Sequence, residues 1–547
     1  MTDISLTNIK KNYGFKNVLD GFNLEINKGE RIGLIGENGC GKSTLFKIIN
    51  KEEEVDSGSV AIRNGAKIGM LGQLPIKVSN ETTVNDILMK NFKIIFEMEQ
   101  LLKELEEKLS SASGNELNKL LERYGKVQQK FIDADGYTIS SKINEICGRF
   151  GIDNEMLNRK FNVLSGGEKT LVQLASIMLS EPDILLLDEP TNNLDIKTLE
   201  WLESYLNNYS GTILMSSHDR YFLDKVATKI VLIERGKEEI FFGNYSYYLV
   251  ENERRILSEF EDYKDQQKKI EAMKRKIKQL QEFGRLAFPG GEPFFRRAAS
   301  IQKRLDKLEL LDKPIEQKDL PINFQMSNRS GKQVLMVNNL DLSIDGKDLL
   351  EDVTFDIAFK ERVCLMGQNG SGKSTLINRI MDIYNDKIED PAIKIGSSVV
   401  IGYIPQNITF NNDKRTVLDE AREYYSGSET HLRAALAKFK FNSEEVFKRV
   451  GSLSGGEKVR LKLFELIQNN VNLLIMDEPT NHIDIATKEV LENALKEYLG
   501  TVFFISHDRY FINELAGRIL YIEDKKVNSY LGNYDDYKET KERLLKR

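Results

Sequence analysis

The chain has few cysteines and few histidines, and it has no long apolar run. Its 547 residues include three cysteines and four histidines. Cys40, Cys147 and Cys364 lack the spacing of a metal site or a disulfide framework, so we expect a reduced, cytoplasmic protein. No stretch approaches the roughly 20 apolar residues that cross a bilayer. The first residues also lack the apolar segment of a secretory signal, which we therefore do not expect.

The chain is slightly acidic overall, but one stretch has an excess of positive charge. The formal net charge of −6 argues against coating of nucleic acid by the whole surface. Residues 264–313, however, contain 14 Lys and Arg against seven Asp and Glu, so this stretch carries +7 and the remainder −13. A basic segment on an acidic protein favours localised contact with RNA phosphate. The alternative is a charged helix surface that is only solvated.

An internal repeat organises the sequence. The segment beginning at Leu164 reads LSGGEKTLVQLASIMLSEPDILLLDEPTNNLD, and its counterpart beginning at Leu453 reads LSGGEKVRLKLFELIQNNVNLLIMDEPTNHID, at an offset of 289 residues. The apolar run before Asp188 and Glu189 predicts a fully buried strand that ends at two acids. Acids in that position are costly unless a cation or a substrate uses them.

A glycine-rich loop precedes each copy of this segment. The loops read GENGCGKS (36–43) and GQNGSGKS (367–374), each after an apolar run and before a predicted helix. This context predicts phosphate-binding loops, in which backbone N–H groups and a lysine contact phosphate and a serine hydroxyl binds Mg²⁺. The predicted nucleotide contacts are Gly36, Asn38, Gly39, Gly41, Lys42, Ser43 and Thr44, and Gly367, Asn369, Gly370, Gly372, Lys373, Ser374 and Thr375.

The loops, LSGGE, DEPTN and SHD in this order resemble the ATP-binding-cassette ATPases. Two such cassettes in one chain, with DEPTNNLD and DEPTNHID, resemble the ABC-F family, which acts on ribosomes rather than in membranes. The resemblance covers nearly the whole chain. It implies ATP and Mg²⁺ as ligands and ATP hydrolysis as the activity.

The resemblance also assigns roles to individual residues of this chain. Gln73 and Gln406 would lie near Mg²⁺ and the attacking water, and Asp188 and Asp477 would bind Mg²⁺. Glu189 and Glu478 would be the general bases. His218 and His507 would contact the γ-phosphate; the alternative for these histidines is a position in the core at a strand end.

In the family, two cassettes meet head to tail, and each ATP lies between them. One ATP would lie between Lys42 and Ser454, and the other between Lys373 and Ser165. The remaining predicted contacts are the helix-start glycines Gly166 and Gly167, and Gly455 and Gly456, whose N–H groups suit a γ-phosphate. We therefore expect a monomer whose cassettes close on each other.

One position differs between the copies. Tyr13 lies where the family often stacks an aromatic ring on adenine, whereas the equivalent position in the second copy is Ile344. We expect weaker or purely apolar contact with adenine in the second site. The alternative for Tyr13 is packing at a strand end.

The first copy has about 44 additional residues before its LSGGE segment. Apolar residues from Leu88 to Leu109 and from Leu117 to Phe131 recur by three and four, which predicts two amphipathic helices. They resemble the ABC-F arm, which touches the ribosome near its exit site. An inert surface hairpin is the alternative.

Between the copies, helical periodicity predicts a hairpin connector, with one helix from Glu251 to Phe283 of roughly 50 Å. Its tip reads GRLAFPGGEPFFRR. Aromatic rings at such a tip can stack on unpaired bases while arginines contact phosphate; the alternative is that the rings close the hairpin. The predicted RNA contacts are Lys274, Arg275, Lys276, Arg285, Phe288, Phe294, Phe295, Arg296 and Arg297.

We therefore predict an α/β protein with two P-loop cassettes, an inserted helical arm and a helical hairpin linker. The predicted ranges are 1–250 for the first cassette with its arm at about 86–140, 251–325 for the linker with its tip at about 284–297, and 326–547 for the second cassette. The resemblance implies a partner of 70S type, contacted through ribosomal RNA and transfer RNA at the exit site, and no membrane partner.

The resemblance leaves two ribosomal roles open. The connector would enter the exit site and displace antibiotics bound at the peptidyl-transferase centre, which the aromatic tip favours. The alternative is a housekeeping factor that relieves stalled ribosomes. A third possibility from another class is the energising subunit of a membrane transporter, which would need neither the arm nor the connector.

Overall fold

The computed structural model describes residues 1–14, 16–72, 78–110, 114–192, 194–287, 289–308, 311, 331–344, 346–442, 444–481 and 483–545. Contacts divide the chain into two units. One unit comprises Met1–Ile240 and Pro321–Arg547 and contains both copies of the repeat, which we call the first and second cassettes. The other unit, Phe241–Leu320, we call the connector.

The first cassette contains nine strands and nine helices among its described residues. They are β1 Thr2–Tyr13, β2 Lys16–Asn27, β3 Arg31–Ile35, α1 Lys42–Ile49, β4 Ser57–Ile62, β5 Ile68–Leu71, α2 Val84–Met89, α3 Lys93–Leu109, α4 Asn115–Asp133, α5 Ile139–Phe150, α6 Asn154–Asn158, α7 Gly166–Leu179, β6 Ile184–Asp188, α8 Ile196–Asn208, β7 Thr212–Ser216, α9 Arg220–Val226, β8 Lys229–Glu234 and β9 Lys237–Phe241.

Two sheets form this cassette, a three-stranded one in the order β2-β1-β4 and a six-stranded one in the order β5-β6-β7-β3-β8-β9. Strands β5, β6, β7, β3 and β8 pair in parallel. The run Ile184–Leu187 is fully buried in β6, as its continuous apolar sequence predicts. Parallel strands end at one edge of a sheet. The loop after β3 therefore lies at the same edge as Asp188, which ends β6, and Glu189, which follows it.

The arm residues form an antiparallel helix pair, but its first helix starts later than the periodicity suggests. Leu88 belongs to α2, and a short 3₁₀ turn at Lys90–Phe92 separates α2 from α3. The Ser176 hydroxyl donates to the Ile87 carbonyl at 3.4 Å, and the Ile87 and Leu88 side chains are buried. The chain therefore changes direction because α2 packs on its own cassette, whereas α3 packs on α4.

The connector contains α10 Tyr245–Leu286 and α11 Glu292–Asp306, which pack on each other. At 42 residues, α10 is longer than the predicted helix and spans roughly 63 Å at 1.5 Å per residue. Ile277, Leu280 and Ala298 form a small buried core between the two helices. The tip turns tightly at glycine: a Cβ on Gly291 would lie 1.9 Å from the Gly284 carbonyl oxygen.

The second cassette repeats the first without the arm. Its elements are β10 Gln333–Ile344, β11 Lys347–Ala358, β12 Arg362–Gly367, α12 Lys373–Tyr384, β13 Ile393–Ile395, β14 Ile401–Ile404, α13 Val417–Arg422, α14 Glu429–Lys438, α15 Gly455–Gln468, β15 Leu473–Asp477, α16 Ile485–Glu497, β16 Thr501–Ile505, α17 Arg509–Leu515, β17 Arg518–Glu523, β18 Lys526–Leu531 and α18 Tyr534–Leu545.

Its sheets have the orders β11-β10-β13 and β14-β15-β16-β12-β17-β18, the same arrangement as in the first cassette. The predicted α/β fold of two cassettes linked by a long helix is thereby confirmed. None of the helices in the described ranges combines the length and the apolar character needed to cross a bilayer.

Candidate functional site

In the first cassette the glycine-rich loop joins β3 to α1. Gly41 has φ 112°, a conformation that glycine adopts without strain, and the next residue, Lys42, begins the helix. The buried Lys42 Nζ donates to the Gly36 carbonyl at 2.7 Å and to the Glu37 carbonyl at 3.2 Å. The loop thus places an ammonium group and a helix N-terminus together, and this pair can bind the phosphates of a nucleotide.

The second cassette has the same loop between β12 and α12. Gly372 has φ 96°, and Lys373 Nζ donates to the Gly367 carbonyl at 2.8 Å and the Gln368 carbonyl at 2.9 Å. Burial lowers the pKa of Lys373, while Glu478 and Asp195 oppose that shift. Asp195 belongs to the first cassette, so the lysine of the second loop is already under the influence of the other cassette.

A glutamate directly follows each buried strand that ends in an aspartate. Burial raises the pKa of Glu189 and of Glu478 to about 7. Each accepts a backbone N–H at its Oε2, from His218 at 3.1 Å and from His507 at 3.3 Å. Each Oε1 is buried and has no hydrogen-bond partner among the described residues. A carboxylate with a pKa near neutrality and one free oxygen can accept a proton from a bound water.

The two histidines lie at the ends of β7 and β16. Their Nε2 atoms are 3.5 Å (His218) and 3.4 Å (His507) from the Oε1 atom of the glutamate in the same cassette. Burial lowers the pKa of each to about 3. Both imidazoles are therefore neutral near pH 7 and can donate one hydrogen bond without adding charge.

The strand-end aspartates supply oxygen ligands of the kind that Mg²⁺ prefers. Asp477 is hydrogen-bonded to Ser374, and its Oδ1 is buried without a hydrogen-bond partner among the described residues. In the first cassette, Ser216 Oγ donates to Asp188 Oδ1 at 2.6 Å. The described residues contain no self-contained cluster of three metal-ligating side chains. These oxygens therefore fit Mg²⁺ that takes its other ligands from a bound nucleotide and water.

Each LSGGE segment starts a helix with a capping box. Ser165 caps α7 and Ser454 caps α15, and the backbone N–H three residues later donates to each serine hydroxyl at 3.3 Å. The glutamate at that position accepts from the serine N–H at 2.8 Å in α7 and 2.7 Å in α15. The N–H groups of the glycines that begin each helix have no partner within that helix, so they can donate to an anion.

A cavity of about 920 Å³ lies between the cassettes. The first cassette contributes Ser165, Gly166 and Gly167 to its wall. The second contributes residues of its glycine-rich loop, its candidate general base and the segment that carries His507. We call this segment, and its counterpart at His218, the switch segments. The residues are Asn369, Gly370, Gly372, Lys373, Ser374, Thr375, Gln406, Glu478 and His507. The structure thus places Ser165 and Lys373 on one cavity; Gln73 lies outside the described residues.

The surroundings of His218 in the first cassette also include groups from both cassettes. Lys42 and Lys488 disfavour protonation of His218, whereas Asp484 favours it. Asp484 and Lys488 belong to the second cassette and lie at the start of α16. Residues of the second cassette therefore set the electrostatic environment of His218 in the first.

A buried ion pair joins the cassettes on one side of this contact. The guanidinium group of Arg220, at the start of α9, forms two hydrogen bonds with Glu492 of α16, one of them 3.1 Å long. The ring of Tyr510 lies 3.8 Å from the guanidinium carbon, measured to the ring centroid. Both charged side chains are buried, so each depends on the other for compensation.

The pseudo-symmetric counterpart lies on the other side. Arg509, at the start of α17, donates to Glu203 of α8 and to Asp219 at 3.4 Å. Tyr221 stacks on its guanidinium group, with the centroid 4.4 Å from the guanidinium carbon. Two pseudo-symmetric arginine–glutamate pairs, together with Asp219, therefore fix the register in which the cassettes meet.

Sequence reasoning overlooked these residues, although a signal was present. Arg220 and Arg509, Glu203 and Glu492, and Tyr221 and Tyr510 are identical pairs at the same offset of 289 residues as the nucleotide motifs. They do not belong to a phosphate-binding motif, and their partners are in the other cassette. Pairing between copies could be recognised only once the two cassettes were seen in contact.

The two adenine-side positions differ as the sequence indicates. Tyr13 ends β1, is 48% exposed, and donates its hydroxyl to the Glu53 carboxylate; the same hydroxyl is hydrogen-bonded to Thr44 of the first loop. Ile344 ends β10 and lines the cavity beside the second loop. Both side chains therefore lie next to a phosphate-binding loop, one as an aromatic ring and the other as an aliphatic group.

The connector presents an exposed basic face. Lys274, Arg275, Lys276, Arg285, Arg296 and Arg297 are all exposed. Arg275 lies 4.0 Å from Glu271, and Arg296 lies 2.8 Å from Glu292. Exposed pairs of this kind contribute little to stability, so they leave most of the positive charge available to a partner.

The two described tip aromatics differ in exposure, and Phe294 takes the alternative place considered above, closing the hairpin. Phe294 packs on the small core of the connector, and its centroid is 6.2 Å from that of Phe283. Phe295 is 42% exposed, with one ring edge over Gly284. Phe288 lies outside the described residues. Phe294 helps to close the hairpin, because its apolar contacts with α10 exclude water, and Phe295 is left to meet a partner.

Comparison with known families covers most of the chain. A family model described as ABC transporter matches residues 19–192 and again 350–481. A second model with the same description matches residues 231–324, which include the whole connector.

Relatives match along almost the full length. The "Putative ATP-binding protein YdiF" of Bacillus subtilis is 37% identical over 100% of this chain and 84% of its own length. "ABC transporter F family member 5" of Arabidopsis thaliana is 35% identical over 98% of this chain and 77% of its own length. The "Energy-dependent translational throttle protein EttA" of Haemophilus influenzae is 33% identical over 97% of this chain and 94% of its own length.

Among solved structures, an archaeal ribosome recycling factor, aABCE1, in complex with ribosomal stalk protein aP1, superposes with a TM-score of 0.61 at 16% identity. The match covers 98% of this chain and 92% of that chain. At this identity the likeness shows the fold alone.

The contrast between Tyr13 and Ile344 leads to a test of adenine binding. Tyr13→Ala should weaken ATP binding at the first loop by about 1–3 kcal/mol, the scale of one base–aromatic stack. Tyr13→Phe keeps the ring but loses the bond to Glu53, so it should bind ATP within about twofold of the unmodified protein. Ile344→Ala should weaken binding at the second loop by less than Tyr13→Ala weakens it at the first.

Titration with a fluorescent ATP analogue, with the other loop disabled by substitution of its lysine, measures each affinity separately. Equal losses for Tyr13→Phe and Tyr13→Ala would show that the hydroxyl network, rather than the ring, is responsible.

Proposed function

The chain belongs to the ABC-F family of tandem ATP-binding-cassette ATPases, and we propose that it uses ATP hydrolysis to act on ribosomes during translation. The observation that carries the proposal is the connector, an exposed basic helical hairpin that follows the first cassette in the chain and precedes the second. The residues from 264 to 313 carry +7 in a chain of net charge −6. Such a charge distribution suits one localised contact with RNA phosphate.

In this proposal each ATP is bound by both cassettes. Lys42 with the first loop and Ser454 with the start of α15 bind one triphosphate; we call this the first site. Lys373 with the second loop and Ser165 with the start of α7 bind the other, at the second site. Because neither cassette completes a site alone, bound ATP favours the closed arrangement and loss of the γ-phosphate contact favours separation.

Hydrolysis at each site uses the buried glutamate and histidine of the same cassette. Glu189 and Glu478 accept the proton of the attacking water at their free Oε1 atoms. Neutral His218 and His507 donate to the γ-phosphate and keep the water in line. Ser43, Asp188 and Gln73, and their counterparts Ser374, Asp477 and Gln406, would hold Mg²⁺, which would neutralise charge on the phosphates.

The connector would make the contact with the ribosome. Its basic face binds RNA phosphate through exposed side chains such as Lys274, Arg275 and Lys276. The tip then reaches inward from the transfer-RNA exit site toward the peptidyl-transferase centre, and the arm of α3 and α4 contacts the ribosome near the exit site. The protein would work in the cytoplasm on a 70S-type ribosome, in contact with ribosomal RNA and transfer RNA.

A translation-factor role has the better support of the two ribosomal roles. One full-length relative is named as an energy-dependent translational throttle. The aromatic tip favours protection against antibiotics when only the sequence is considered, but Phe294 is partly buried against the small core of the hairpin. Protection stays the second candidate because Phe295 is exposed beside Arg296 and Arg297 at the tip.

The ribosomal proposal predicts a salt-dependent association that requires the basic face. Association should weaken as salt rises, because binding releases counterions from RNA. Reversing Lys274, Arg275 and Lys276 to glutamate should flatten this dependence, by about one unit of slope for each phosphate that the altered side chains no longer bind. Co-sedimentation with ribosomes over a range of salt measures the slope.

The matched control reverses three exposed lysines of the second cassette, Lys394, Lys414 and Lys526, and so makes the same change in net charge. Equal slopes for both triple variants would mean that only overall charge matters. Recovery of the unmodified protein with membranes rather than ribosomes would instead favour a transporter subunit.

The tip predicts different outcomes for its two phenylalanines. Phe294→Ala should lower the stability of the connector by about 1–3 kcal/mol, because it removes apolar contacts in the hairpin. Phe295→Ala should leave the melting temperature unchanged and reduce activity on ribosomes. Thermal melting, translation of a stalling message and antibiotic susceptibility of an expressing host are measured for both variants.

Loss of the translation effect with unchanged susceptibility supports the translation factor, and increased susceptibility alone supports protection. A Phe295→Ala variant with full activity in both assays would exclude the tip as the working contact.

A further inference from the structure

One buried lysine lies between the switch segments of the two cassettes. Lys488 is in the first turn of α16 in the second cassette, and its side chain is buried. Its Nζ donates to the backbone carbonyl of His218 in the first cassette at 2.9 Å. It also donates to Asp508 Oδ2 in its own cassette at 2.6 Å. A single ammonium group therefore bridges the cassettes at the segments that carry the histidines.

Both acceptors belong to the segments that position catalytic groups. The N–H of His218 donates to Glu189 Oε2 at 3.1 Å, so the bond from Lys488 to the His218 carbonyl fixes the chain on the other side of the same residue. Asp508 follows His507, and its Oδ1 caps α17 by accepting from the Phe511 N–H at 3.1 Å. The bond to His218, however, exists only while the two cassettes are in contact.

The repeat does not reproduce this lysine. The equivalent residue of the first cassette, 289 positions earlier, is Leu199, which lies at the same place in α8 and is buried beside the cavity. A leucine has no donor, so no mirror-image bond to the His507 carbonyl can form from that position. The nearest cation to Asp219, the counterpart of Asp508, is instead Arg509 at 3.4 Å.

The charges around Lys488 agree with a position between the two sites. Its positive charge favours the ionised form of four carboxyl groups, those of Asp508, Glu492, Glu189 and Glu478. Of the two histidines, it is His218 whose protonation Lys488 disfavours. The charge of Lys488 is therefore shared by both general bases, whereas its bond to a switch histidine is made on one side only.

We propose that Lys488 is a positioning residue that makes the two ATP sites unequal. By fixing the His218 carbonyl when the cassettes meet, it aligns His218 with Glu189 and so makes hydrolysis at the first site depend on contact with the second cassette. The second site, with Leu199 in the equivalent place, does not require such a bond. This inference concerns ATP hydrolysis itself and does not depend on the ribosomal role.

The test measures each site alone, without ribosomes. Glu478→Gln leaves hydrolysis only at the first site, and Glu189→Gln leaves it only at the second. Lys488→Met is placed in both backgrounds, and single-turnover hydrolysis is followed with protein in excess over ATP. We expect hydrolysis at the first site to slow by about tenfold or more, the effect of losing a hydrogen bond from a charged donor. Hydrolysis at the second site should slow much less, because Lys488 bonds there only to Asp508, which neighbours His507.

Four further variants separate positioning from structure. Lys488→Arg retains a charged donor and should restore part of the lost rate at the first site. Lys496→Met removes an exposed lysine of the same helix, paired with Glu514, and should change neither site. Because Lys488→Met leaves the Asp508 carboxylate without its closest cation, Lys488→Met with Asp508→Asn is compared with Asp508→Asn alone. This second comparison replaces the first if the single variant does not fold.

Affinity for a fluorescent ATP analogue should change by less than about twofold at both sites, since Lys488 is proposed to position the switch segment rather than to bind nucleotide. Equal slowing in both backgrounds would reduce Lys488 to a structural bridge, and unchanged rates in both would show that its bond to His218 is unimportant. Either result overturns the proposal.

Discussion

The two cassettes bury two arginine–glutamate pairs where they meet, and this constraint determines how the rest of the protein can work. Arg220 faces Glu492, and Arg509 faces Glu203, each pair shielded by a tyrosine ring. A buried charge without its partner is costly, whereas the paired arrangement adds little net stability over an apolar contact. The pairs therefore act mainly by specifying one register of contact between the cassettes. Because they add little net stability, they permit the cassettes to separate.

That register places the nucleotide groups of one cassette opposite those of the other. Each arginine begins the helix two residues after a switch histidine, and each glutamate lies in the helix that follows a DEPTN segment. Closing the ion pairs thus brings the start of α7 toward the second loop. The cavity shared by Ser165 and Lys373 is a direct result of this geometry.

The sequence predicts most of what lies within one cassette and little of what lies between the two. β6 and the loop before α1 follow from local patterns, because burial on both faces demands apolar runs and a tight turn demands glycine. The break before α3 escapes prediction because the apolar spacing continues across Lys90–Phe92 while the packing partner changes. The sequence leaves the packing of Phe294 open, because an aromatic residue near arginines suits both a core and an RNA surface.

The measurement that tests the central claim most directly is a double-mutant cycle on Arg220 and Glu492. Labels at exposed Asn64 and Lys394, in a Cys40→Ser background, report the distance between cassettes as ATP is added. Arg220→Met and Glu492→Met should each weaken ATP-driven closing by about 3–5 kcal/mol, since each removes one partner of a buried ion pair. The double variant should recover most of that loss, giving a coupling energy of about 2 kcal/mol or more. Additive effects of the two substitutions would contradict the account.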